Sequence, residues 1–118
     1  TGIRGEAAAG FPAIETPLLA LCSLPEADLD ARRLLEALFE IMSELDDTTL
    51  VRRGGIEALA AVKRCARDLL QSGALRQASW RDAVHTVDRE FVARRLSPGG
   101  AADCLSVMLF LIWLAREQ

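Results

Sequence analysis

The chain has 118 residues, 51% apolar and 26% charged, which is enough for one domain with a core of its own. Its formal net charge of −3 excludes a global basic field for nucleic acid. Tyrosine is absent and β-branched residues never gather into alternating runs, so helices are expected rather than sheet.

Thr1 to Pro12 is glycine-rich and reads as loop, with Arg4, Gly5, Glu6 and Gly10 in it. The opening Thr1-Gly2-Ile3-Arg4 already looks mid-structure, as in a piece of something longer. Pro17 to Ser23 is expected as a short helix, with Pro17 tolerated in its first turn. Asp28 is expected to cap a helix running to about Leu45, whose Leu34, Leu38, Ile41 and Leu45 recur at helical spacing. A further helix is expected from Ile56 to about Gln71, burying Ile56, Leu59, Val62, Ala66, Leu69 and Leu70 and ended by Ser72-Gly73. Ser79 can cap the next, Trp80 to about Leu96, with a seam of Trp80, Val84, Val87 and Phe91. The last, Ala101 to about Glu117, is apolar on nearly every side and belongs inside a bundle or against another chain. The expected fold class is all-α: a bundle of four main helices with functional loops between them, part of a larger all-helical domain.

Three cysteines, Cys22, Cys65 and Cys104, are odd in number and far apart, which disfavours a disulfide framework or a zinc site and fits a reducing cytoplasm. No secretion signal is visible, and the most apolar run, Leu105 to Ala115, is too short to span a bilayer. His85 is expected as a partly buried structural histidine and the cysteines as small core residues. Arginine outnumbers lysine 13 to 1. That suits forked recognition of phosphate, and it equally fits a GC-rich coding sequence.

Two loops break local rules. Glu44, Asp46 and Asp47 crowd a helix C-terminus, where the macrodipole is negative, so a compensating cation is expected. Magnesium on Asp46 and Asp47 is one candidate. Arg52 and Arg53 could clamp phosphate, and Gly54-Gly55 would let backbone N–H groups approach an anion. The plain alternative is that Asp47 or Thr48 caps a following turn while the arginines pair with the acids. In the second loop, Ser97-Pro98-Gly99-Gly100, two glycines precede a helix N-terminus, with Asp103 in its first turn. The plain alternative there is a tight turn with Asp103 complementing the dipole.

Three ordered segments together resemble the triphosphoribosyl-dephospho-CoA synthase family. They are Gly2-Ile3-Arg4-Gly5-Glu6-Ala7 with Gly10-Phe11-Pro12, then Asp46-Asp47-Thr48 with Arg53-Gly54-Gly55, then Leu96-Ser97-Pro98-Gly99-Gly100 with Ala102-Asp103. The family's acid ahead of the third motif corresponds to Asp88. The resemblance covers the whole chain as a single all-helical unit, residues 1–118, similar to the C-terminal half of family members about twice as long. The family usually has asparagine where this chain has Thr49 and Arg95, histidine at Arg52 and serine at Ala101.

The resemblance implies transfer of the triphosphoribosyl group of ATP to dephospho-CoA with release of adenine. The product is the prosthetic-group precursor for the acyl carrier subunit of malonate decarboxylase or citrate lyase. It implies magnesium with ATP, held through Asp46 and Asp47, and phosphates bound by Arg4, Arg53, Gly54, Gly55, Ser97, Gly99 and Gly100. Glu6 or Asp103 is implied as base or electrostatic stabiliser. Expected partners are ATP, dephospho-CoA, the missing N-terminal half and a second copy in a homo-oligomer, with no nucleic acid and no membrane. The alternative is a non-catalytic nucleotide-binding or partner-binding paralogue fragment. An all-α pyrophosphatase ranks last, because no paired E-x-x-E carboxylates occur.

Overall fold

The computed structural model describes residues 12–22, 24–25, 30–96, 103, 105, 106, 109 and 112, and among them every regular element is helical. Helix α1 is Pro12–Cys22, α2 Ala31–Glu44, α3 Thr48–Gln71 and α4 Trp80–Ala93, with a 3-10 turn, Ala74–Arg76, between α3 and α4. Residues 103, 105, 106, 109 and 112 are helical as well.

Helix α2 is the spine, packed on α3 along one side and on α1 along the other. Its period places Ala37, Ile41 and Met42 in the core with Phe39, and Leu45 closes it. From α3 come Leu50, Val62, Ala66 and Leu69, and from α4 Val87 and Phe91. Leu75, on the 3-10 turn, is fully buried and ties that turn to α3 and α4. Ile112 is buried in the same cluster, with Leu105 packed against it. No helix among the described residues is long and apolar enough to cross a membrane.

Several boundaries differ from the sequence reading. Helix α1 begins at Pro12, and Pro17 lies buried inside it, forgoing one ladder bond. Asp30 caps α2, its carboxylate accepting from Arg33 N at 3.0 Å. The expected cap Asp28 lies outside the described residues. The apolar period puts Ile56 on a buried face, yet it is 75% exposed, because a kink at Gly55 turns the helix beneath it. Ser79 stands at the N-cap of α4 without making a side-chain capping bond.

Helix α4 stops at Ala93, earlier than its periodicity suggests. Arg95 adopts a left-handed φ of 55°, Leu96 N–H returns to Phe91 O at 2.8 Å and Arg95 N–H to Val92 O at 3.1 Å. This is a Schellman-type end in which arginine takes the place usually held by glycine. His85 is exposed rather than partly buried. Of the cysteines, Cys65 is half-buried against the core.

Candidate functional site

The Asp46–Gly55 segment joins α2 to α3, and each of its residues has a separate local reason for its position. Asp47 is 3% exposed, and its Oδ1 accepts from Thr49 N at 3.0 Å and Leu50 N at 3.4 Å. It is the N-cap of α3, satisfying donors that the first helical turn leaves without partners. Leu45 and Leu50, on either side of it in sequence, are both buried. The alternative reading of Asp47 as a cap is therefore the observed geometry, and the expected loop is helical from Thr48 onward.

The cation that the acidic helix end requires comes from the facing helix. Lys63 donates to Asp46 Oδ1. One turn on, Arg67 donates to the carbonyl oxygen of Ser43 at 2.9 Å, near the C-terminus of α2. A cation there complements both the macrodipole and an orphan carbonyl. Sequence reasoning misses both residues, although Lys63 is the lone lysine and Lys63 and Arg67 share a face at i, i+4.

Arg52 and Arg53 do not pair with the acids. Both are exposed, and among the described residues neither forms an ion pair. They lie on the short helical stretch before Gly55, whose φ of 76° and ψ of −176° break the helix. Gly54 sits against the kink so closely that a Cβ there would lie 2.6 Å from the Cβ of Ala58. The pair of glycines thus sets a kink beside a short arm carrying two guanidinium groups that make no ion pair among the described residues. Six residues of helical rise put Arg53 about 9 Å along the axis from Asp47.

Asp46 and Asp47, adjacent in sequence, diverge in space. Asp46 faces solvent and Lys63, while Asp47 is turned inward onto backbone N–H groups. No group of three or more His, Cys, Asp or Glu among the described residues is placed to hold a metal ion. Asp103 is an exposed helical residue, and Asp88 is exposed on α4. Arg4, Glu6, Ser97, Gly99 and Gly100 lie outside the described residues.

A groove of about 480 Å³ runs between α3 and α4, with Cys65 in its wall. Burial pushes the Cys65 thiol up from its ordinary 9.0, Glu90 and Asp68 add to this, and Arg94 opposes it. The thiol is protonated at neutral pH and is no ready nucleophile.

The CitG family model, described as ATP:dephospho-CoA triphosphoribosyl transferase, matches residues 1–118. The chain is 40% identical over 113 residues to the probable 2-(5''-triphosphoribosyl)-3'-dephosphocoenzyme-A synthase 1 of Salmonella typhimurium, covering 94% of this chain and 37% of that protein. It is 38% identical over 113 residues to the Klebsiella pneumoniae synthase of the same reaction name, with the same coverage. It is 44% identical over 86 residues to the probable synthase of Acinetobacter calcoaceticus, covering 73% of this chain and 30% of that protein. The chain thus spans nearer a third than a half of these relatives' length, less than the expected half. No solved structure matches it. With a family model matching from the first residue to the last, and relatives of one reaction name on either side of 40% identity, the chain belongs to the family of ATP:dephospho-CoA triphosphoribosyl transferases.

Proposed function

We propose that this chain supplies part of the site that transfers the triphosphoribosyl group of ATP to dephospho-CoA. A ribose hydroxyl oxygen of dephospho-CoA bonds to the anomeric carbon of the ATP ribose as the bond from that carbon to adenine breaks. The proton lost by the hydroxyl is balanced by the one that leaves with adenine, so the reaction needs a base and an acid but no redox partner. The triphosphate stays on the sugar and must be anchored throughout.

The observation that carries the proposal is the Arg52–Gly55 arm, where two exposed guanidinium groups, without acidic partners among the described residues, stand beside a glycine kink. Free guanidinium groups suit triphosphate oxygens. In this reading Arg53, with Arg4, clamps phosphates, and Gly54, Gly55, Ser97, Gly99 and Gly100 give backbone access. Magnesium arrives as the counter-ion of the triphosphate, and Asp46 is the exposed carboxylate able to face it, in exchange for Lys63. Asp47 acts by fixing the start of the arm. Glu6 or Asp103 serves as base or stabiliser. The product would be the prosthetic-group precursor of an acyl carrier subunit of malonate decarboxylase or citrate lyase, made in the cytoplasm. The remaining length of the family chain completes the site.

The test is adenine release, measured by chromatography, from ATP, magnesium and dephospho-CoA, with this chain alone and with a polypeptide supplying the rest of the family length. Adenine that appears only when dephospho-CoA is present is the expected result. A second reading, nucleotide or partner binding without turnover, is favoured by Asp47 being engaged as a cap and Asp46 by Lys63. Folded protein in both mixtures with no adenine would select it.

A further inference from the structure

At the opposite end of α2 from Asp46, about 20 Å along the helix axis, lies a second concave surface of about 420 Å³. Arg32, Arg33, Arg76, Gln77, Ala78 and Trp80 line it, and among the described residues no carboxylate does. Glu36 reaches two of the arginines from outside the lining, at 3.8 Å to Arg32 and 3.7 Å to Arg76. Among the described residues Arg33 has no ion pair. A local positive cleft has therefore been built on a chain whose net charge is −3.

Its placement runs against local preference. Arg32 and Arg33 stand in the first turn of α2, near the positive end of the helix dipole, where the Asp30 cap is the one acidic group among the described residues of that end. Trp80 opens α4, whose N-cap Ser79 gives no side-chain bond to the first turn. An anion in the cleft would neutralise the guanidinium groups that converge on it. The wall is aromatic as well as basic, with the Arg81 guanidinium 4.4 Å from the Trp80 ring centroid. Forked cations next to a large aromatic surface fit phosphate and base together.

We infer that this cleft is a second nucleotide site, taking a nucleoside polyphosphate with its phosphates on Arg32, Arg33 and Arg76 and its base against Trp80. It goes beyond the proposed function, which concerns the Arg52–Gly55 arm at the other end of α2. The volume suits a ligand of nucleotide size.

The test is titration of the full 118-residue chain with ADP, without magnesium, by calorimetry and tryptophan fluorescence. ADP is expected to bind and to alter tryptophan emission. Arg33→Gln with Arg76→Gln should weaken binding at least tenfold, and Trp80→Phe should remove the emission change, whereas Arg89→Gln, exposed on α4 and outside the cleft lining, should leave both intact. Should the double variant fail to fold, Arg33→Gln alone serves, since it breaks no ion pair among the described residues. The inference falls if ADP does not bind, if the cleft variants bind it as before, or if inorganic pyrophosphate binds as tightly as ADP. Binding lost only in Arg53→Gln would assign ADP to the arm, leaving the proposed function standing and this inference overturned. Cleft binding with no adenine release would overturn the proposed function alone.

Discussion

Asp47 concentrates at one carboxylate a charge, a buried position and two backbone N–H partners. Asp47→Ala removes the acceptor and is expected to cost about 1–2 kcal/mol in denaturant unfolding. Asp47→Asn keeps an acceptor oxygen and should lie within a few tenths of a kcal/mol of the parent. An asparagine variant as unstable as the alanine variant would show that the charge, not the cap, holds the junction. Glu40 behaves in the opposite sense. Burial, then the neighbouring Glu36, raises its carboxyl from the ordinary 4.5, with Arg76 opposing. A group raised on folding favours the native state while protonated, and that contribution is lost as pH rises through the folded value. Glu40→Gln should therefore melt higher than the parent at pH 7, and the two curves should converge below the ordinary value of 4.5. Parallel melting temperatures from about pH 4 to 7 would show that Glu40 is no less comfortable charged than in the unfolded chain.

Helix ends and breaks carry most of what is unusual here. Gly55 holds a backbone conformation essentially reserved for glycine. Gly55→Ala is therefore expected to cost about 1–3 kcal/mol, even though a Cβ at that position would meet only open space. Gly54→Ala meets Ala58 instead, and overpacking of that kind costs about 1–3 kcal/mol. Ala58→Gly should rescue Gly54→Ala and leave Gly55→Ala unrescued; equal rescue of both would mean the kink is not what the two glycines serve. At the end of α4, Arg95 occupies a left-handed conformation that asparagine and glycine adopt more readily. Arg95→Gly is expected to raise stability by about 1 kcal/mol, measured as a shift of the denaturation midpoint at constant slope. A loss would show that the arginine side chain has contacts that outweigh the backbone strain.

At the scale of the whole molecule, α2 organises the packing and Leu75 locks the far end, so Leu75→Ala should cost about 2–5 kcal/mol. The helices themselves are legible in the sequence because their apolar period is strong: Ile41, Val62, Ala66 and Phe91 are buried where the pattern puts them. Ile56 is not, since a period counts residues and cannot see that Gly55 rotates the helix before it resumes. At the site, the need for a cation near Asp46 is legible from the helix dipole. Its source is not, because Lys63 arrives from 17 residues away through the packing of α3 on α2. The basic cleft escapes a reading of the sequence for the same reason: Arg32 and Arg76 are neighbours only after the chain has gone through α3 and back.

Because Lys63 is the lone lysine, a lysine-specific endoprotease has one bond to cut in these 118 residues, on the C-terminal side of the residue that holds Asp46. Its side chain is 21% exposed and the bond lies inside a continuous helical stretch, so cleavage must wait for local opening. The rate at which the intact band disappears is then a single-site clock for the α2–α3 junction, and a ligand that seals that junction would slow it without any label being introduced.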